Sequence, residues 1–260
     1  VAKYLFGASM GARPAKWRWT RSPVFDAPAS LREAFPNERW LFVGWPDEPA
    51  EPGGEVAARD AKLTAAGHLS IDLETQRNAG VPYSYTLEGD VEDVSRQHIA
   101  NRGAVVVHPA PWYVGLKRPD YFVEQKKGLV TEIVTVSPAG QIVAGITVDV
   151  TLTQVQWTSV RRAEGNGFYT WDVERKEVPA GNVQVKTGTE PVPLTVPVPG
   201  GGYFLLKATA QDGTGRLAVT RTSFYVLGEG YTAWARYDHN RIDLVPEKKT
   251  YRPGDTARIM

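Results

Sequence analysis

Apolar and polar residues alternate in short runs along most of the chain. Trp17 and Trp19 are interleaved with Lys16, Arg18 and Thr20; Val148, Val150 and Leu152 with Thr147, Asp149 and Thr151; Phe204 and Leu206 with Leu205 and Lys207. A period of two, rich in β-branched and aromatic residues, sends alternate side chains to opposite faces of a strand. Gly, Pro, Asn and Asp punctuate the runs, so the pattern predicts many short strands joined by turns. Gly165-Asn166-Gly167 reads as a hairpin tip between Trp157 and Trp171. Helical spacing is confined to Ala29–Ala34, stopped by Pro36. Between Gly44 and Thr64 no period is sustained. The Pro, Gly and acidic content there predicts an exposed connector, with at most a helical turn over Glu55–Lys62. Strand alternation resumes at Leu69, Ile71 and Leu73.

An internal repeat organises these strands. Asp93 precedes Arg102 by the same spacing that separates Asp212 from Arg221, each pair is followed by an apolar run ending in Pro or Gly, and the copies lie 119 residues apart. One sandwich per copy fits that period. The stretches GARPAKWRWT and VAGITVDVTL each place a Gly- or Pro-bearing bend before an alternating strand, and RPGDTARIM does so a third time. Three openings and two closings predict an all-β chain of tandem antiparallel β-sandwiches, immunoglobulin- or fibronectin III-like, over residues 1–116 and 117–236. Residues 237–260 then read as the opening hairpin of a truncated third sandwich, with Leu244 and Val245 on one strand, Ala257 and Ile259 on the other, and Arg252-Pro253-Gly254-Asp255 at the turn.

Composition narrows the functions open to such a chain. Its 42% hydrophobic content supports real cores, and 23% charged residues with a net charge of +1 provide no field for nucleic acid or an anionic membrane. Cysteine is absent, which removes disulfides, thiolate metal sites, a thiol nucleophile and a thioester from these residues. No run approaches a membrane span, and Val1-Ala2-Lys3-Tyr4 lacks the layout of a signal peptide.

Candidate chemistry is sparse. His68, His98, His108 and His239 lack the tight spacing that builds a metal site, and Gly103 is expected to interrupt the strand between His98 and His108. The pairs Glu88 with Asp90, Glu92 with Asp93, and Asp47 with Glu48 could mimic a glycosidase couple, but in loops such pairs solvate turns. No nucleophile elbow, Walker loop or dinucleotide fingerprint is present. Trp17, Trp19, Trp157 and Trp171 alternate with polar neighbours and are expected to face the core. Trp40, Trp45, Trp112 and Trp234 lie near Gly, Pro or domain ends and are expected to wedge the joints between sandwiches. Asp93 and Asp212 are expected to open turns by accepting backbone N–H groups, with Arg102 and Arg221 on strands, paired to an acid or facing a neighbouring domain. These readings assign no catalytic, cofactor-binding or metal-ligating residue, and no cofactor.

The phrases YLFGASMGARPAKWRW, DVSRQHIANRGAVVVHPAPWYVGL and DLVPEKKTYRPGDTARI, in that order, resemble the macroglobulin-like repeats of bacterial alpha-2-macroglobulins. The resemblance implies a non-enzymatic scaffold segment from the middle of a large periplasmic protease inhibitor that traps attacking proteases after bait cleavage. Its partners would be neighbouring domains of the parent chain and, through the parent, target proteases, with neither nucleic acid nor a small-molecule substrate. A lipoprotein cysteine would precede Val1, and any Cys-x-Glu-Gln thioester would lie elsewhere in the parent. The bait is expected after these residues, not in the Gly44–Thr64 connector. The alternative from another class is a cell-surface adhesion or carbohydrate-binding array of β-sandwiches.

Overall fold

The computed structural model describes residues 1–44, 53–165 and 168–228, with isolated positions at 252, 254 and 256. The expected hairpin of residues 237–260 therefore lies outside the described residues, as do Trp45, Asp47, Glu48, Trp234 and His239. Strands follow one another as β1 (Pro14–Pro23), β2 (Trp40–Leu41), β3 (Gly54–Lys62), β4 (Tyr83–Glu92), β5 (His98–Val107), β6 (Tyr113–Lys117), β7 (Phe122–Glu124), β8 (Leu129–Val136), β9 (Thr147–Gly165), β10 (Phe168–Lys186), β11 (Val192–Val196), β12 (Gly202–Gln211) and β13 (Leu217–Leu227). The one α-helix among them, α1 (Ala29–Ala34), falls where the sequence predicts it.

Three sheets result. The first has the order β3-β1-β4-β5, the second β11-β8-β6-β2, and the third β10-β9-β12-β13-β7. Every pairing is antiparallel except β7 with β13. The second and third sheets face each other as a β-sandwich. Its core takes Val114, Leu116, Leu129 and Ile133 from one sheet and Val148, Val150, Leu152, Phe204 and Leu206 from the other, as the alternation predicts. The rings of Phe204 and Phe224 stack at 5.9 Å inside it. The first sheet is covered on its inner face by the segment after β3, where Leu69 packs with Met10, Ala15 and Leu63.

Several local expectations are corrected. Gly54–Lys62 is neither connector nor helix but an edge strand paired with β1, and its small and charged residues satisfy a backbone ladder without a buried face. Leu69, Ile71 and Leu73 are half-buried along an extended stretch that joins no ladder. Gly103 does not interrupt β5, which pairs with β4 over ten consecutive residues. Trp157 lies on the outward face of β9, because that strand's inward positions are Val148, Val150 and Leu152. Trp112 packs against the sandwich core and not at a joint, with its indole N–H buried and unpartnered. Trp171 has no described side chain, but β9 and β10 pair from Gly165 with Phe168 onward, as a hairpin requires.

The repeat is visible as geometry. In the β4–β5 turn, Asp93 N–H donates to Gln97 O at 2.8 Å, and Arg96 takes φ +63°; in the β12–β13 turn, Asp212 N–H donates to Arg216 O at 3.0 Å, and Gly215 takes φ +87°. Both aspartates open their turns as expected. Asp93 Oδ1 accepts the amides of Ser95 and Gln97, and Asp212 Oδ1 those of Thr214 and Arg216.

Candidate functional site

The chemistry-bearing residues are dispersed. His98 Nδ1 lies 2.6 Å from Asp90 Oδ1 on the exposed face of the first sheet, and the Asp90 hydrogen bond, then its charge, raises the imidazole pKa. At the far end of β5, His108 Nδ1 lies 2.6 Å from the Tyr113 hydroxyl, and burial lowers its pKa. Burial also pushes the Tyr113 phenol up. Glu88 is paired with Arg18, while Arg13 donates to the backbone carbonyls of Glu92 and Asp93. Asp93 spends its carboxylate on its own turn, so it is not poised opposite Glu92 as a glycosidase couple. Among the described residues, no three His, Asp or Glu side chains gather as a metal site needs.

What the fold does build is a joint. The second sheet is buried on both faces where the first unit meets it. On β8, Leu129 and Ile133 point into the sandwich, whereas the opposite face runs from Val130, 62% exposed, to Val134 and Val136, both fully buried. The change occurs because Tyr83 and Tyr85 of β4 pack there with Phe42, Val43, Val81, Leu31 and Tyr113. Aromatic edges fill the remaining space, with Phe35 5.3 Å from Trp40 and 5.5 Å from Phe42, and Trp19 6.3 Å from Tyr85. Trp40 is thus the joint aromatic that the sequence predicts. Trp19 packs into the same cluster, while Trp17 is only half-buried on the inner face of the first sheet.

Glycines permit the close approach. A Cβ on Gly115 would come within 2.6 Å of Val134 Cγ1 and 2.8 Å of Phe42 Cε1. At Gly44, φ is +70° and a Cβ would lie 1.9 Å from the Arg221 carbonyl oxygen.

The joint also completes a sheet edge. The outer edge of β13 is closed by β7 at Tyr225–Leu227, and by the first unit at the other end. There Val219 N–H donates to Gly80 O at 2.9 Å and Arg221 N–H to Val43 O at 3.3 Å. The Thr220 hydroxyl donates to Val114 O at 2.6 Å. Arg221 therefore sits at an interface through its backbone, while Arg102 lies exposed on β5 opposite Glu88 in register. Sequence reasoning expected Trp40 at a joint but missed the buried β8 face that forms it. Its signal was the run Ile133-Val134-Thr135-Val136, since continuous burial in a strand means that both faces are covered.

A two-sheet sandwich with a second sheet system docked on its outer face defines a tandem β-sandwich scaffold. Residues 115–228 match the family model described as bacterial macroglobulin domain 6. The chain is 24% identical to an alpha-2-macroglobulin homolog of Nostoc sp. over its whole length and 13% of that protein, and 26% identical to one of Deinococcus radiodurans over 82% of this chain and 20% of that protein. Its fold resembles native Escherichia coli alpha-2-macroglobulin (TM-score 0.59, 17% identity) and Salmonella alpha-2-macroglobulin reacted with methylamine (TM-score 0.57, 18% identity), each match covering 98% of this chain and 16% of the other. The chain carries a macroglobulin domain of the bacterial alpha-2-macroglobulin family, and it spans only 13–20% of the length of the curated relatives it matches.

Proposed function

We propose that this chain is a non-catalytic scaffold segment of an alpha-2-macroglobulin-like protease inhibitor, a trap protecting the bacterial envelope, held in the periplasm by a lipid anchor on the parent protein. The observation that carries the reading is the joint. A sheet buried on both faces, with its partner sheet's edge closed by the neighbouring unit, turns two sheet systems into one body able to transmit displacement. That is the mechanical property a rearranging trap needs of its frame. A solved relative, Escherichia coli alpha-2-macroglobulin activated by porcine elastase, supports a protease as the trigger in the whole protein. We place the division between units before Tyr113, near the boundary at 116 that the repeat predicts, because Val114 and Leu116 belong to the sandwich core. The second unit then extends to about 236 and a further unit begins at 237.

The test uses the full-length protein. After limited protease treatment it should change hydrodynamic radius and retain the protease, which should still cleave small chromogenic substrates but not large ones. Cleavage with neither shape change nor retention contradicts the trap.

A further inference from the structure

We propose that an aromatic strip on the outer face of the third sheet is the seat of another domain of the longer chain to which this segment belongs. The strip crosses four strands. Trp157 of β9 lies tilted against Tyr203 of β12 at 5.3 Å, Tyr203 against Tyr225 of β13 at 4.9 Å, and Tyr225 meets Phe122 of β7 at 5.9 Å and neighbouring Tyr121 at 5.4 Å. In a freestanding sandwich these positions would face water. Here they do so as an apolar band, on which Tyr121 is 60% exposed, Phe122 55% and Leu227 57%. Contiguous apolar surface of this kind, rimmed by polar groups, marks an interaction site. The rim here is the Arg175–Glu177 ion pair at 2.7 Å, on the strand next to Trp157.

Two features identify the occupant. First, Tyr225–Leu227, at the end of the last described strand, lie on the strip. The curated relatives place most of their length outside the matched segment, so the nearest available surface is another domain of the same chain. Second, β9 pairs with β12 only as far as Val155, whereas its pairing with β10 runs on to Gly165. Beyond Trp157 the two strands form a ribbon extending roughly 25–30 Å at the usual rise per residue. A two-stranded ribbon alone is marginal in water. It walls one end of the strip and gives the docked domain a second surface. A sugar platform fits less well, because the rings lie edge-on or tilted against one another, at 33–86° between planes, and do not present a row of open faces.

This proposal rests on the scaffold reading, and its test is separate from that of the trap. Hydroxyl-radical footprinting, read by mass spectrometry against a dosimeter peptide, compares this 260-residue chain with the full-length protein. Oxidation of Tyr121, Phe122 and Trp157 should be about fivefold slower or more in the full-length protein, because the centre of an interface excludes water. Equal rates in both overturn the seat. Protection in the short chain that fades on dilution assigns the strip to a second copy and overturns it too. So does protection by chito-oligosaccharides in the short chain with equal basal rates in both proteins. A full-length protein that fails to retain proteases, yet protects the strip, loses the trap reading and keeps the seat.

Discussion

The amide of Val219 donates to the carbonyl of Gly80 at 2.9 Å, so a residue of the first unit closes the edge of a strand in the third sheet. Unpaired edges recruit other chains. Here the edge is spent within the molecule, and separating the two units would expose it.

Gly44→Ala tests that closure from the other contact point. Alanine there must hold a left-handed backbone with its Cβ driven into the Arg221 carbonyl. The expected loss is about 2–4 kcal/mol, from strain and backbone displacement together. Gly89→Ala, where a Cβ meets nothing within 4 Å, should fall within about 0.5 kcal/mol of the parent. Urea unfolding followed by tryptophan fluorescence separates the two.

Gly115→Ala tests the close packing of the joint. Its Cβ would press on Val134 and Phe42, and overpacking of this kind costs about 1–3 kcal/mol. A neutral result would mean that Phe42 is free to swing away and that the joint is loose.

Asp212 gives an acid signature. Partial burial pushes its pKa up, but hydrogen bonds from the Arg216 amide, the Thr214 hydroxyl and amide, and the Arg216 guanidinium outweigh that and hold it well below the usual carboxylate range. The stabilisation is fully present above the unfolded carboxylate pKa of about 3.9 and drains away as pH falls below it. Melting temperatures of the parent and Asp212→Asn should therefore differ at pH 7 and converge toward pH 2.

The two described β5-end histidines should titrate in opposite directions. His98 should lie above its ordinary pKa of about 6.5, so its contribution to stability holds at acid pH and is lost as pH rises through the folded value. His108 should lie below, so its neutral folded form costs stability as pH falls below about 6.5. NMR titration reads both, and Asp90→Asn should bring only His98 back.

The strands with a buried face were legible because alternation and burial coincide. Val148, Val150 and Leu152 point inward as read, and the Asp93 and Asp212 turns match residue for residue. β3 was not legible, since an exposed edge strand of Ala, Arg, Asp and Glu needs only a backbone partner. Trp157 was read to the wrong face because alternation with polar neighbours marks which residues share a face but not which face is inward, and its ring lies tilted against Tyr203 on the outer face. The partners of Trp40 at the joint escaped because they include residues as far apart in sequence as Tyr85 and Val134, and a single strand's period records burial on one face at a time.

The central claim is that the first unit and the sandwich move as one body. Absence of cysteine makes it directly measurable: Arg102→Cys on β5 and Lys207→Cys on β12, both exposed, accept spin labels without competition in this chain. The distance distribution from double electron–electron resonance should be a single narrow peak, unchanged when the joint is challenged with sub-denaturing urea. A broad or multi-peaked distribution, or one that shifts before global unfolding begins, would contradict the account.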